Sequence, residues 1–130
     1  MVQRAELMGL GLSHSLANQL GIDPQVCTAV GATQGSAYQI NRQQKLVSVI
    51  STNSGNYVNA PSVTAGAHLC DLFVVNNQTA GSIVITASSG VNFSFGGSSI
   101  AGTTGFSVAS QNTVLLMAVS ASSWVALKGA

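Results

Sequence analysis

Beyond Ser36 the chain falls into short runs in which apolar and polar residues alternate, the period-two signature of half-buried strands. Ser36–Asn41 sets Tyr38 and Ile40 against Ala37 and Gln39, and Lys45–Thr52 sets Val47 and Val49 against Leu46, Ser48 and Ile50. Leu69–Asn77, Ser82–Ala87, Val91–Phe95, Ser98–Ile100 and a run around Phe106 and Val108 continue the series. Thr113–Ser120 and Trp124–Lys128 read as a closing hairpin. Polar clusters at Thr52–Asn56, Gln78–Gly81, Gly96-Gly97 and Ser110–Asn112 mark the turns. Tyr57–Thr64 reads as an irregular edge piece, because Pro61 has no N–H for a central ladder. Gln25–Val30 reads as extended, since Val26, Cys27, Thr28 and Val30 favour strand. Short strands at this spacing predict a mainly β fold, a small β-sandwich or barrel of jelly-roll-like type. No internal repeat of fixed period is visible.

The opening stretch, Arg4 to Gly21, breaks this pattern and reads as helix. Leu7, Met8 and Leu10 make one apolar turn, which Gly9 and Gly11 loosen, glycine being about 1 kcal/mol worse than alanine inside a helix. Ser13 is a good N-cap, Leu16, Ala17 and Leu20 share one face, and Gly21 suits the position after the helix end. A helix of two turns is marginal alone in water, so it needs a surface to lie on. Gly31–Gly35 reads as a flexible join. The expected organisation is therefore a helical arm and linker over residues 1–35 and a β-rich body over residues 36–130.

Composition sharpens the picture. Only 5% of the 130 residues are charged and the net charge is +1, where an ordinary soluble domain is about 25% charged. Such a chain is poorly protected against association, so it reads as a protein that lives assembled. Arg42 and Lys45 are the only close pair of like charges, too little for binding nucleic acid through phosphates. No apolar run approaches the roughly 18 residues of a membrane span. Leu7–Leu12 is too short and too glycine-broken for the core of a signal peptide. Cys27 and Cys70 stand in apolar, strand-like surroundings and read as buried thiols rather than a disulfide.

No catalytic constellation emerges, and the chain reads as a non-enzyme that needs no cofactor. The acids are Glu6, Asp23 and Asp71, with no evident carboxylate pair. Asp71 reads as a residue on the solvent or interface face of its strand. His68 and Cys70 share one strand face, but zinc asks for three or four ligands and only His14 and Cys27 remain. No serine lies in a G-x-S-x-G elbow, and Gly96-Gly97 and Gly102-Thr-Thr-Gly105 lack the lysine of a phosphate loop. Trp124 is a possible carbohydrate platform but reads better as a core residue of the last strand.

The segment A-E-L-M-G-L-G-L-S-H-S-L-A-N-Q-L-G resembles the N-terminus of tailed-bacteriophage head fibre, decoration or cement proteins. The strand Leu72-Phe-Val-Val-Asn-Asn77, then Gly81–Thr86, Val91–Ser99, Gln111–Met117 and Ser122-Ser-Trp124 resemble the β-rich body of that family, while Tyr38–Ala67 does not match. The resemblance implies a homotrimer on the outer surface of the phage head, stabilising neighbouring major capsid proteins. The N-terminal segment would attach it through Leu7, Met8, Leu10, Leu12, Leu16 and Leu20. A short helix with an apolar face fits a groove on a partner, and a low-charge β body can bury its edges against two further copies. The alternative is a phage fibre or tail adaptor module that binds host-surface glycan through Trp124, Tyr57 or Tyr38.

Overall fold

The computed structural model describes residues 24–42, 44–62 and 71–128. The helical arm, with Leu7, Met8, Leu10, Leu12, Leu16 and Leu20, lies outside the described residues, as do His14, His68 and Cys70.

The described chain is mainly β. Eleven strands follow one another: β1 (Pro24–Val30), β2 (Tyr38–Gln39), β3 (Leu46–Asn53), β4 (Tyr57–Asn59), β5 (Leu72–Asn77), β6 (Ile83–Thr86), β7 (Asn92–Phe95), β8 (Ser98–Ala101), β9 (Phe106–Val108), β10 (Thr113–Ser120) and β11 (Ser123–Lys128). They form a seven-stranded sheet of order β1-β3-β5-β10-β11-β7-β8 and a four-stranded sheet of order β2-β4-β6-β9. From β1 to β6 the chain alternates between the sheets, and β1, β3 and β5 are parallel neighbours, as are β2, β4 and β6. This makes three stacked coils, each resting on the one before, in the manner of a solenoid. The last part changes character. The β7–β8 hairpin, β9 beside β6, β10 beside β5 and β11 beside β10 add antiparallel pairs that complete both sheets.

The sequence expectation of a mainly β fold holds, and the two sheets share one apolar core. The jelly-roll-like part is corrected. Jelly rolls are built from antiparallel strands, whereas β1–β3, β3–β5, β2–β4, β4–β6 and β7–β11 run parallel. The core is formed by the inward positions of both sheets, with Val47, Val49, Phe73, Val75, Val114, Leu116 and Trp124 facing Val58, Ile83, Ile85, Phe106 and Val108. Its aromatic rings meet edge to face, Phe73 with Trp124 at 5.5 Å between centroids and Phe93 with Phe106 at 4.9 Å. This geometry suits the ring quadrupoles.

Three further expectations change. Tyr57–Asn59 is an interior strand between β2 and β6, and it ends before Pro61, which therefore breaks no ladder. β1 pairs with β3 along its whole length, so the β body reaches back to Pro24, inside the span assigned to arm and linker. Gly31–Gly35 is a built corner rather than a flexible join. Gly31 holds φ +76°, its carbonyl accepts the Asn56 N–H at 3.1 Å, and Gln34–Ser36 forms a 3₁₀ turn.

Candidate interaction surface

The two faces of the larger sheet differ in what covers them. Its inward face meets the smaller sheet. Its outward positions are Val26, Thr28 and Val30 on β1, Leu46 and Ser48 on β3, Leu72, Val74 and Asn76 on β5, Thr113, Leu115, Met117 and Val119 on β10, and Ser123, Val125 and Leu127 on β11. Strand register gathers the large apolar ones into two adjacent rows. Leu46, Val74, Leu115 and Leu127 stand side by side across four strands. Leu72, Met117 and Val125 form the next row. Leu72 is 45% exposed and Leu127 61%, while the others are half-buried. Val26, Ser48, Asn76 and Thr113 make a third, more polar row along one end.

This surface carries no charge. The charged side chains among the described residues are Arg42, Lys45, Asp71 and Lys128. Lys128 pairs with inward-facing Val114, and its ammonium reaches the Ser107 carbonyl of the smaller sheet at 3.4 Å. Lys45 sits at the rim of the core, its Nζ 4.4 Å from the Phe73 ring centroid and 3.4 Å from the Asp71 carboxylate. Asp71 therefore takes the same side as Phe73 and lies at the core rim, not on an outward strand face as the sequence suggested. A partly shielded cation held by both a carboxylate and an aromatic face is well placed at such a rim.

Polar groups inside the fold are used for construction. Gln39, Asn59 and Thr86 stand in register on β2, β4 and β6. The Asn59 amide donates to Gln39 Oε1 at 2.7 Å, and the Thr86 hydroxyl donates to Asn59 Oδ1 at 3.1 Å. Such a ladder ties consecutive coils together at fixed register. Among the described residues no group of three or more His, Cys, Asp and Glu could hold a metal ion, and no helix is long and apolar enough to cross a membrane.

Trp124 is fully buried against Phe73, as the sequence favoured, so it offers no ring face for a sugar. Its indole N–H has no acceptor among the described residues. Tyr38 packs partly against the core and its hydroxyl accepts from Gln44 Nε2 at 3.0 Å. Tyr57 is half-buried on the smaller sheet.

Cys27 is a buried thiol, as expected, and burial pushes it up to about 11 from 9.0. The thiol thus stays protonated in the folded state while the unfolded chain ionises from about pH 9, so the unfolded state binds fewer protons and stability falls as pH rises through that window. In a Cys70→Ser background, Cys27 is expected to react with an aromatic disulfide reagent at pH 8 only after unfolding in guanidinium. Prompt labelling of the native protein would contradict its placement.

The outward residues Leu72, Val74, Leu115, Met117, Val125 and Leu127 were missed as a site in the sequence. Their signal was present: L-F-V-V, V-L-L-M-A-V and W-V-A-L are apolar at both parities, the pattern of strands covered on both faces. Comparison with protein-family models, with curated proteins and with solved structures finds no match.

Proposed function

We propose that this chain is a structural virion protein that decorates and stabilises a bacteriophage head, bound as a homotrimer across neighbouring major capsid proteins on the outer surface. The observation that carries this reading is the uncharged apolar outward face of the larger sheet, which suits a body that works packed against other protein. The resemblance of the first residues to capsid-attachment segments supplies the anchor. Leu7, Met8, Leu10, Leu12, Leu16 and Leu20 enter grooves between capsid subunits. Each fully buried Leu or Met contributes about 1.5–3 kcal/mol, and ordering the segment offsets much of that. Three arms on one trimer gain avidity by effective concentration. The action is non-covalent and needs no cofactor.

Deleting Met1–Gly21 is expected to leave the assembled β body intact and to weaken binding to empty heads by about 100-fold or more, the usual scale of lost multivalency. Co-sedimentation with purified heads measures this. Undiminished decoration by the truncated chain would overturn the arm as the anchor.

A further inference from the structure

We propose that the outward face of the larger sheet is the surface through which copies of this chain associate, with Leu72, Leu115, Met117 and Leu127 at its centre. The inference deepens the homotrimer of the proposed function by naming the face and its occupant, a second copy of the same chain. Three observations carry it.

The first is coverage. β5, β10 and β11 are apolar at both parities, the pattern of a sheet sandwiched between two layers. The smaller sheet supplies one layer. The described residues supply nothing for the other side.

The second is area. β1, β3, β5, β10 and β11 are adjacent strands of six to eight residues. At ~4.8 Å between strands and ~3.3 Å per residue they present a face of ~24 by 20–26 Å, or ~500–600 Å² in projection. The face is therefore of the same order as the ~800 Å² that each partner gives to a standard stable interface.

The third is charge. The face has none, so it offers nothing to an acidic or a basic partner, and a net charge of +1 barely opposes the meeting of two copies. Its apolar rows are flanked by Thr28, Ser48, Asn76 and Thr113 at one end and by Ser123 and Ser94 on the other side, an apolar centre with a polar rim. In a trimer the three copies turn this face toward a common three-fold axis, each packing part of it against a different part of its neighbour's. In the proposed reading residues 1–23 are engaged by the capsid, which leaves this face to another copy.

The test uses the full chain at about 20 μM in sedimentation velocity. The wild type is expected to run as a trimer, and Leu115→Lys and Leu127→Lys as monomers with an unchanged circular dichroism spectrum. Leu127 is the more exposed of the two, so its variant retains the fold even where Leu115→Lys does not. Ser107→Lys, on the smaller sheet, is expected to assemble as the wild type does. A monomeric wild type, as when the chain's own first residues cover the face, would overturn the inference, and so would a Leu127→Lys variant that still assembles. Loss of head binding on deletion of Met1–Gly21 together with a monomeric wild type would remove this inference and the free homotrimer, and leave attachment to the head through the arm in place. Self-association through the face with undiminished head binding by the deletion would do the reverse.

Discussion

Replacing Gly55 by alanine is expected to destabilise the protein by about 4 kcal/mol or prevent folding, against a net stability of about 5–15 kcal/mol for a domain of this size. Gly55 holds φ +145°, a backbone conformation essentially reserved for glycine, and this alone costs an L-residue about 1–3 kcal/mol. The packing adds more. A Cβ at Gly55 would overlap the carbonyl oxygen of Gly31 in the coil beneath, which is main chain and cannot rotate away. The next residue makes this corner central to the fold. Asn56 donates its N–H to Gly31 at 3.1 Å, and its carbonyl and side-chain amide bond Val84 N–H at 2.9 Å and the Ser82 carbonyl at 2.7 Å. Asn56 thereby joins the first coil to the third, and moving Gly55 breaks both links. Gly35→Ala is the control, since nothing lies within 4 Å of a Cβ there and the change should fall within about 0.5 kcal/mol of neutral. Urea denaturation of the two variants measures the contrast, and equal stability would refute the stacked corner.

The same corner shows what the sequence could and could not disclose. Gly31 and Gly35 look alike as members of a glycine-rich connection. Gly31 is packed against Ser36 of the same corner and lies beneath Gly55 of the next coil, while Gly35 faces open space, and only the folded corner distinguishes them. Strand existence was legible because alternation is local. The β10–β11 hairpin and the inward set Val47, Val49, Phe73 and Val75 follow from period two alone. Strand pairing was not legible, because an alternating strand does not say which partner it has or in which direction. The coils are also unequal. Fewer residues separate Pro24 from its neighbour Leu46 than separate Leu46 from its neighbour Val74, so no fixed period exists to detect. The candidate surface was half legible. Apolar residues at both parities were in plain view, but the rows formed by Leu46, Val74, Leu115 and Leu127 arise only when parallel and antiparallel ladders meet on β5.

Asn77→Leu is expected to cost about 3–4 kcal/mol, although leucine has the same branched side-chain skeleton as asparagine and the position is fully buried. The reason lies in where the amide points. Its Nδ2 donates toward three carbonyls, Gly81 at 2.8 Å and Val108 and Ala109 at 3.0 Å each. Its Oδ1 accepts from the Thr79 N–H at 3.0 Å and the Thr79 hydroxyl at 2.7 Å. One side chain thus fastens the β5–β6 turn to the exit of β9, at the point where the parallel coils give way to the antiparallel strands. Each such bond contributes about 0.5–1.5 kcal/mol net, and leaving buried partners unpaired costs about 1–3 kcal/mol more per group. The cost stays well below that sum because the single proton of the Thr79 hydroxyl can turn wholly to the Gly81 carbonyl at 2.8 Å and the turn can relax. Asn77→Asp separates the two halves of the network. It preserves the acceptor for Thr79 but turns a carboxylate oxygen toward three carbonyls, so a charged aspartate is disfavoured and a protonated one, able to donate, is tolerated. The folded state then holds this proton to higher pH than the unfolded chain, and the variant should gain stability as pH falls from 7 toward 5, before general acid effects begin. Thermal unfolding across that range tests it. A flat profile, or an Asn77→Leu variant as stable as the wild type, would show that the turn is held by other contacts.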